Sequence, residues 1–147
     1  MTGAKPVKCS VAALVRSPMH PGEFLAVLRP PDDDRLPNVW GLPAVSLEPD
    51  ELPEEALRRL GLEKLGVPLE PVRFIGIDAA DRGDYLLVLM DIEADVVEGA
   101  PDVTAARTGG TAYVDQVWAS DARILCEAAA RGSVCSRILL NAEGIPY

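Results

Sequence analysis

Apolar residues along this chain come in short runs broken by proline, glycine and acidic clusters, a rhythm of strands interspersed with a few helices. Cys9 to Arg16 and Phe24 to Leu28 are β-compatible, and the Ser17-Pro18-Met19-His20-Pro21-Gly22 cluster between them predicts a hairpin. Arg29-Pro30-Pro31-Asp32-Asp33-Asp34-Arg35 follows as a polar surface loop. A helix is predicted over Leu52 to Leu65, entered from Pro49-Asp50-Glu51, with Pro53 in its first turn and Gly66 as its stop. Pro68 prevents its continuation. Strands are predicted over Val72 to Ile77 and Tyr85 to Ile92, separated by the turn-rich stretch Asp78 to Asp84. Thr104 to Gly110 reads as a connection and Thr111 to Trp118 as a further strand. Ser120 can cap a helix running to about Ala130, and Ser133 to Leu140 is a second short one, with Asn141 to Tyr147 a tail.

The length of 147 residues fits one domain over 1–147, enough to bury a core without disulfides or a structural metal. Fourteen lysines and arginines against 23 aspartates and glutamates leave a net charge of −9. The balance argues against a nucleic-acid surface and against an anionic membrane. It also requires that any polyphosphate ligand be held by a local positive patch or a metal. Cys9, Cys126 and Cys135 are too scattered for a disulfide framework, and with His20 the single histidine no Cys/His zinc pattern can be written. The apolar run Val11 to Val15 is too short for a signal-peptide core, so a reducing cytoplasm is the expected location.

The chemistry-bearing stretch is Trp40-Gly41-Leu42-Pro43-Ala44-Val45-Ser46-Leu47-Glu48-Pro49-Asp50-Glu51, then Arg59 and Glu63 on the helix, closed by Leu65-Gly66-Val67. It resembles the Nudix box, in which a glycine, five residues, a glutamate and seven residues lead to Arg-Glu-(aliphatic)-x-Glu-Glu-x-Gly-(aliphatic). Glu51, Arg59, Glu63, Gly66 and Val67 match, as do Trp40, Leu42 and Pro43 of the usual lead-in. Ala44 and Val45 replace a glycine pair, Leu60 and Lys64 replace two glutamates, and Gly61 replaces an aliphatic residue. The resemblance implies an α/β fold, a Nudix-like α/β/α sandwich with a central mixed sheet, and leaves room for a homodimer.

Helix positions three and four apart share a face, so carboxylates at 60, 63 and 64 would converge beside the strand-to-helix loop. Such hard oxygen donors suit Mg²⁺ or Mn²⁺, which would neutralise a diphosphate and activate water. Here that face reads Leu60, Glu63, Lys64. Glu63 is the surviving candidate catalytic residue and metal ligand, and the cofactor is Mg²⁺ or Mn²⁺ if the chain is active, or none. The altered lead-in also bears on the backbone oxygen that helps to bind metal in the family. Glu51 and Arg59 read as scaffold joining loop to helix, with Arg59 also a candidate ligand contact. Gly61 costs roughly 1 kcal/mol inside a helix and suggests close approach to the sheet or a bend.

Lys64 admits two readings: an ammonium in the vacated metal position that contacts phosphate directly, or a solvated lysine near a helix C-terminus, the plainer reading. Tyr85 lies where some diadenosine-polyphosphate-cleaving Nudix enzymes stack an aromatic on a base, and is a candidate ligand contact or a core residue. Asp91, Glu93 and Asp95 alternate at period two, and one of them or Glu98 could supply a further ligand or base; a solvated strand end accounts for them equally well. His20 reads as a solvated turn residue, Trp40 and Trp118 as packing residues, and Cys126 and Cys135 as small buried hydrophobes. The implied function is hydrolysis of a nucleoside-diphosphate-linked or related organic pyrophosphate. The alternative is a Nudix-fold domain that no longer hydrolyses and binds a nucleotide-like small molecule or a protein partner.

Overall fold

The computed structural model describes residues 3–104 and 112–147. The elements are β1 (Val7–Arg16), β2 (Phe24–Leu28), β3 (Trp40–Gly41), β4 (Ala44–Ser46), α1 (Pro53–Leu60), β5 (Leu69–Asp81), β6 (Leu86–Val96), β7 (Asp115–Ala119), α2 (Cys126–Ala130) and α3 (Val134–Ala142). A four-stranded sheet has the order β4-β1-β6-β5, and a three-stranded sheet the order β3-β2-β7. The first sheet is mixed: β1 runs parallel to β6 and antiparallel to β4, and β5 is antiparallel to β6.

Val11 to Val15 is buried at every position, with no alternation. This follows from having a core on each side of the strand. Val11, Ala13 and Val15 pack with Ala56, Leu57 and Leu60 of α1, whereas Ala12 and Leu14 pack with Ile138 and Leu139 of α3. The result is the expected sandwich of helices about a mixed sheet. The expected hairpin is corrected, because β1 and β2 do not pair but enter different sheets, β2 lying between β3 and β7. A run buried on both faces carries no signal of which strand lies beside it.

The box helix begins as expected. Pro53 occupies its first position and the Glu55 carboxylate accepts the Leu52 N–H at 2.8 Å. At Gly61 the coil widens into a π-type turn over Gly61–Leu65, ending at Gly66 with φ 69°. A Cβ on Gly61 would lie 2.6 Å from both Leu69 Cγ and the Val67 carbonyl oxygen. The glycine thus serves the expected close approach, and a change of winding, not a bend, begins at it.

β5 and β6 are longer than their predicted cores and are joined by the turn before Tyr85, where the Arg82 N–H meets the Tyr85 carbonyl at 2.9 Å. The connection expected over Thr104 to Gly110 and the start of the following strand lie almost wholly outside the described residues; β7 itself begins at Asp115. The segment after it is capped by Asp121, not Ser120, with a 3-10 turn over Ala122–Leu125 preceding α2. Ser133 caps α3 through the Ser136 N–H. No helix among the described residues is long and apolar enough to cross a membrane.

Candidate functional site

A cleft of about 450 Å³ opens where β4, α1 and its π-type turn, the Tyr113 segment and the start of α3 meet the face of β1 and β6. Among the described residues, six basic side chains line it, Lys8, Arg29, Arg35, Arg59, Lys64 and Arg82, against one carboxylate, Glu63. In a chain of net charge −9 this is a concentrated reversal of sign.

Two of the arginines are neutralised locally. Arg59 donates from Nε and Nη2 to Glu51 at 2.8 and 2.9 Å, from Nη2 to the Ser46 carbonyl at 2.7 Å and from Nη1 to Glu63 at 3.2 Å. It ties the β4 end and the loop to the helix, the scaffold role expected of it, with one edge on the cleft. Its hydrogen bonds hold the Glu51 carboxyl below the usual range, burial notwithstanding. Arg29 makes a bidentate pair with Asp33 at 3.0 and 3.2 Å, so the segment read as a solvated loop presents its first residue to the cleft. Among the described residues, Lys8, Arg35, Lys64 and Arg82 have no carboxylate within ion-pair distance.

Lys64 corrects the plainer reading. It is half-buried and its Nζ donates to the Ala44 carbonyl oxygen at 2.9 Å and sits 5.3 Å from the centre of the Tyr113 ring. Burial, with Arg29 and Arg59 nearby, brings its pKa down to about 8, against the opposing pull of Glu63. Tyr113 is itself buried, and its hydroxyl accepts the Ala44 N–H at 3.0 Å. Burial pushes that phenol up to about 12. Tyr113 was not legible as a site residue, since a lone aromatic within the strand predicted over Thr111 to Trp118 carries no spacing signal.

The one-face arrangement of positions 60, 63 and 64 is not kept. Leu60 is fully buried among Ala56, Leu57 and Leu65, whereas Glu63 and Lys64 face the cleft. A divalent cation needs converging oxygen donors. The box positions offer one carboxylate already bonded to Arg59, one apolar side chain in the core, and an ammonium on the Ala44 oxygen. Among the described residues no group of three or more His, Cys, Asp or Glu side chains could hold a metal ion. This donor set does not fit Mg²⁺ or Mn²⁺.

Tyr85 lies on the cleft wall with Lys8 Nζ 5.5 Å from its ring centre. Asp91, Glu93, Asp95 and Glu98 do not reach the cleft. Glu93 is held by Arg16 at 3.0 Å and Arg73 at 2.8 Å, and Asp95 and Glu98 are exposed. Asp91 is completely buried, and among the described residues neither of its oxygens has a hydrogen-bond partner. Burial pushes its pKa up to about 9. His20 is not simply solvated, because its ring stacks on Trp118 with centroids 4.5 Å apart. Cys135 is buried as expected, Cys126 only partly.

The model of the NUDIX domain matches residues 8–120. The chain belongs to the Nudix family. Solved structures with the same fold include the MutT protein of Methanosarcina mazei Go1, with 21% identity, 97% of each chain covered and a TM-score of 0.69. A NUDIX hydrolase from Nitrosomonas europaea is 22% identical over 95% of this chain and 89% of that one, with a TM-score of 0.71. The ORF135 protein of E. coli is 22% identical over 95% and 90%, with a TM-score of 0.68. Among curated proteins none matches the chain in sequence. The matched region begins in β1 and ends just beyond β7, so it takes in the Nudix box and most of the cleft walls but not the α3 side.

Proposed function

We propose that this Nudix-family protein binds a nucleotide-like small molecule through its phosphate groups in the cationic cleft. The observation that carries the reading is the set of four basic side chains, Lys8, Arg35, Lys64 and Arg82, brought together without carboxylate partners among the described residues. Lys64 and Arg82 are partly buried, and a bound anion offsets the cost of desolvating their charge through charge-assisted hydrogen bonds, while Lys8 and Arg35 add positive charge at the exposed rim. The apolar wall of Leu87, Leu89 and Val134 beside Tyr85 suits the non-phosphate part of such a ligand. Tyr85 is the contact we assign to a base.

Hydrolysis of a nucleoside-diphosphate-linked pyrophosphate is the second reading, supported by family membership and by a structural neighbour described as a NUDIX hydrolase. The donor set at Leu60, Glu63 and Lys64 speaks against its metal-dependent form. Calorimetric titration with ADP, AMP and adenosine separates these ideas. The binding reading requires ADP to bind more tightly than AMP, adenosine to bind least, and affinity to fall with added salt. Equal affinity for adenosine and ADP would refute it. Product formation from ADP-sugars, measured as released nucleoside monophosphate, tests the second reading.

A further inference from the structure

The misfit between the box and a divalent cation is itself informative, because the position is not merely vacated but filled by a positive charge. Lys64 Nζ is fixed by the Ala44 oxygen at 2.9 Å and by the Tyr113 ring, and an ammonium has three donor positions, so protons remain for a ligand in the cleft. Tyr113 secures the same residue through the preceding peptide by accepting the Ala44 N–H. Arg59, clamped to Glu51 and Ser46, holds the neighbouring end of β4 against the helix. The lysine therefore stands on a braced frame, which lowers the ordering cost that a surface lysine would meet on binding an anion.

We infer that Lys64 is a built-in cation that bonds the ligand's phosphate directly, so that phosphate binding in this cleft needs no divalent metal ion. The inference rests on the proposed binding function and specifies how that site recognises its ligand. A single ammonium supplies charge and directed protons but no open coordination position for water. The site is thereby suited to holding a phosphate ester and not to activating water upon it.

The experiment is titration with ADP, once in EDTA and once in Mg²⁺, on the wild type and on Lys64→Met. Wild-type affinity should agree between the two conditions to within about twofold, and Lys64→Met should bind about tenfold or more weakly in both. Thermal melting establishes that the variant is folded. Lysine footprinting gives a readout on the unsubstituted protein, since the chain has three lysines, Lys5, Lys8 and Lys64. ADP in EDTA should slow acetylation of Lys64 and leave that of Lys5 unchanged. ADP binding that appears only with Mg²⁺, Lys64→Met binding as tightly as wild type, or unprotected Lys64 in an ADP-bound protein would each overturn the inference while leaving the binding function in place. Absence of ADP binding under both conditions would instead overturn the binding function, and this assignment with it.

Discussion

Replacing Asp91 by asparagine should change how stability depends on pH. Asp91 sits in β6 opposite Ala12 and Gly76, beneath α3, with no exposed surface and, among the described residues, no hydrogen bond to either oxygen. Its folded-state pKa is pushed up to about 9 from an ordinary 3.8. Between these values the unfolded chain has released the proton and the folded chain retains it. Stability therefore falls as pH rises through that window, by at most about 1.4 kcal/mol per pH unit. From pH 5 to pH 7 the loss approaches about 3 kcal/mol, a large share of the roughly 5–15 kcal/mol typical of a domain. Asparagine keeps the shape and has no proton to release. Urea unfolding of both proteins at pH 5, 6, 7 and 8 should show Asp91→Asn gaining on the wild type at each step, all other titrating groups being common to the two. A constant stability difference across that range would refute the reasoning, since it would mean that the carboxylate ionises in the fold with a partner.

Gly61→Ala improves helix propensity by about 1 kcal/mol, yet its Cβ meets Leu69 and the Val67 carbonyl at 2.6 Å. A net loss of about 1–2 kcal/mol is expected, read as a melting temperature lower by about 2–10 °C. Arg59→Ala should lower the melting temperature by several degrees through loss of the Glu51 and Ser46 bonds; full stability with lost ADP binding would move Arg59 from scaffold to ligand contact. The double substitution of Leu60 and Lys64 by glutamate should place one carboxylate in the core and destabilise by about 3 kcal/mol or more. That loss should not be relieved by Mg²⁺ in thermal melting, and a melting temperature that climbs with metal concentration would contradict the placement of Leu60.

What could be read from the sequence was local. The box helix, its proline entry and its glycine stop follow from turn chemistry within a few residues, and the Glu51–Arg59 clamp from family spacing. Pairing was not legible. Val11 to Val15, apolar at every position, announces burial on both faces but not that its neighbours are β4 and β6. The cleft was illegible for a different reason: Lys8, the loop bearing Arg29 and Arg35, and Arg82 are far apart in sequence and read as ordinary surface residues until the fold gathers them. Asp91 misled because an aspartate in an alternating acidic run resembles a solvated strand end, and only the helix lying over it makes it buried.

The departures at Leu60, Gly61 and Lys64 form one structural change. In an unbroken α-helix, positions 60, 63 and 64 lie on one face. Here the coil loosens at Gly61, whose missing Cβ lets the backbone press against Leu69 and the Val67 carbonyl. Leu60, before the change of winding, is committed to the core with Leu57; Glu63 and Lys64, after it, face the cleft. A glutamate at 60 would then be a buried charge far costlier than a surface one, and a glutamate at 64 would set a carboxylate against the Ala44 carbonyl oxygen that the lysine now bonds. Each residue fits the others' positions, and restoring any one of them alone meets a frame built around the remaining two. Consistency among neighbours at this level marks a second stable arrangement of the box helix, with a cation where the family pattern gathers anions.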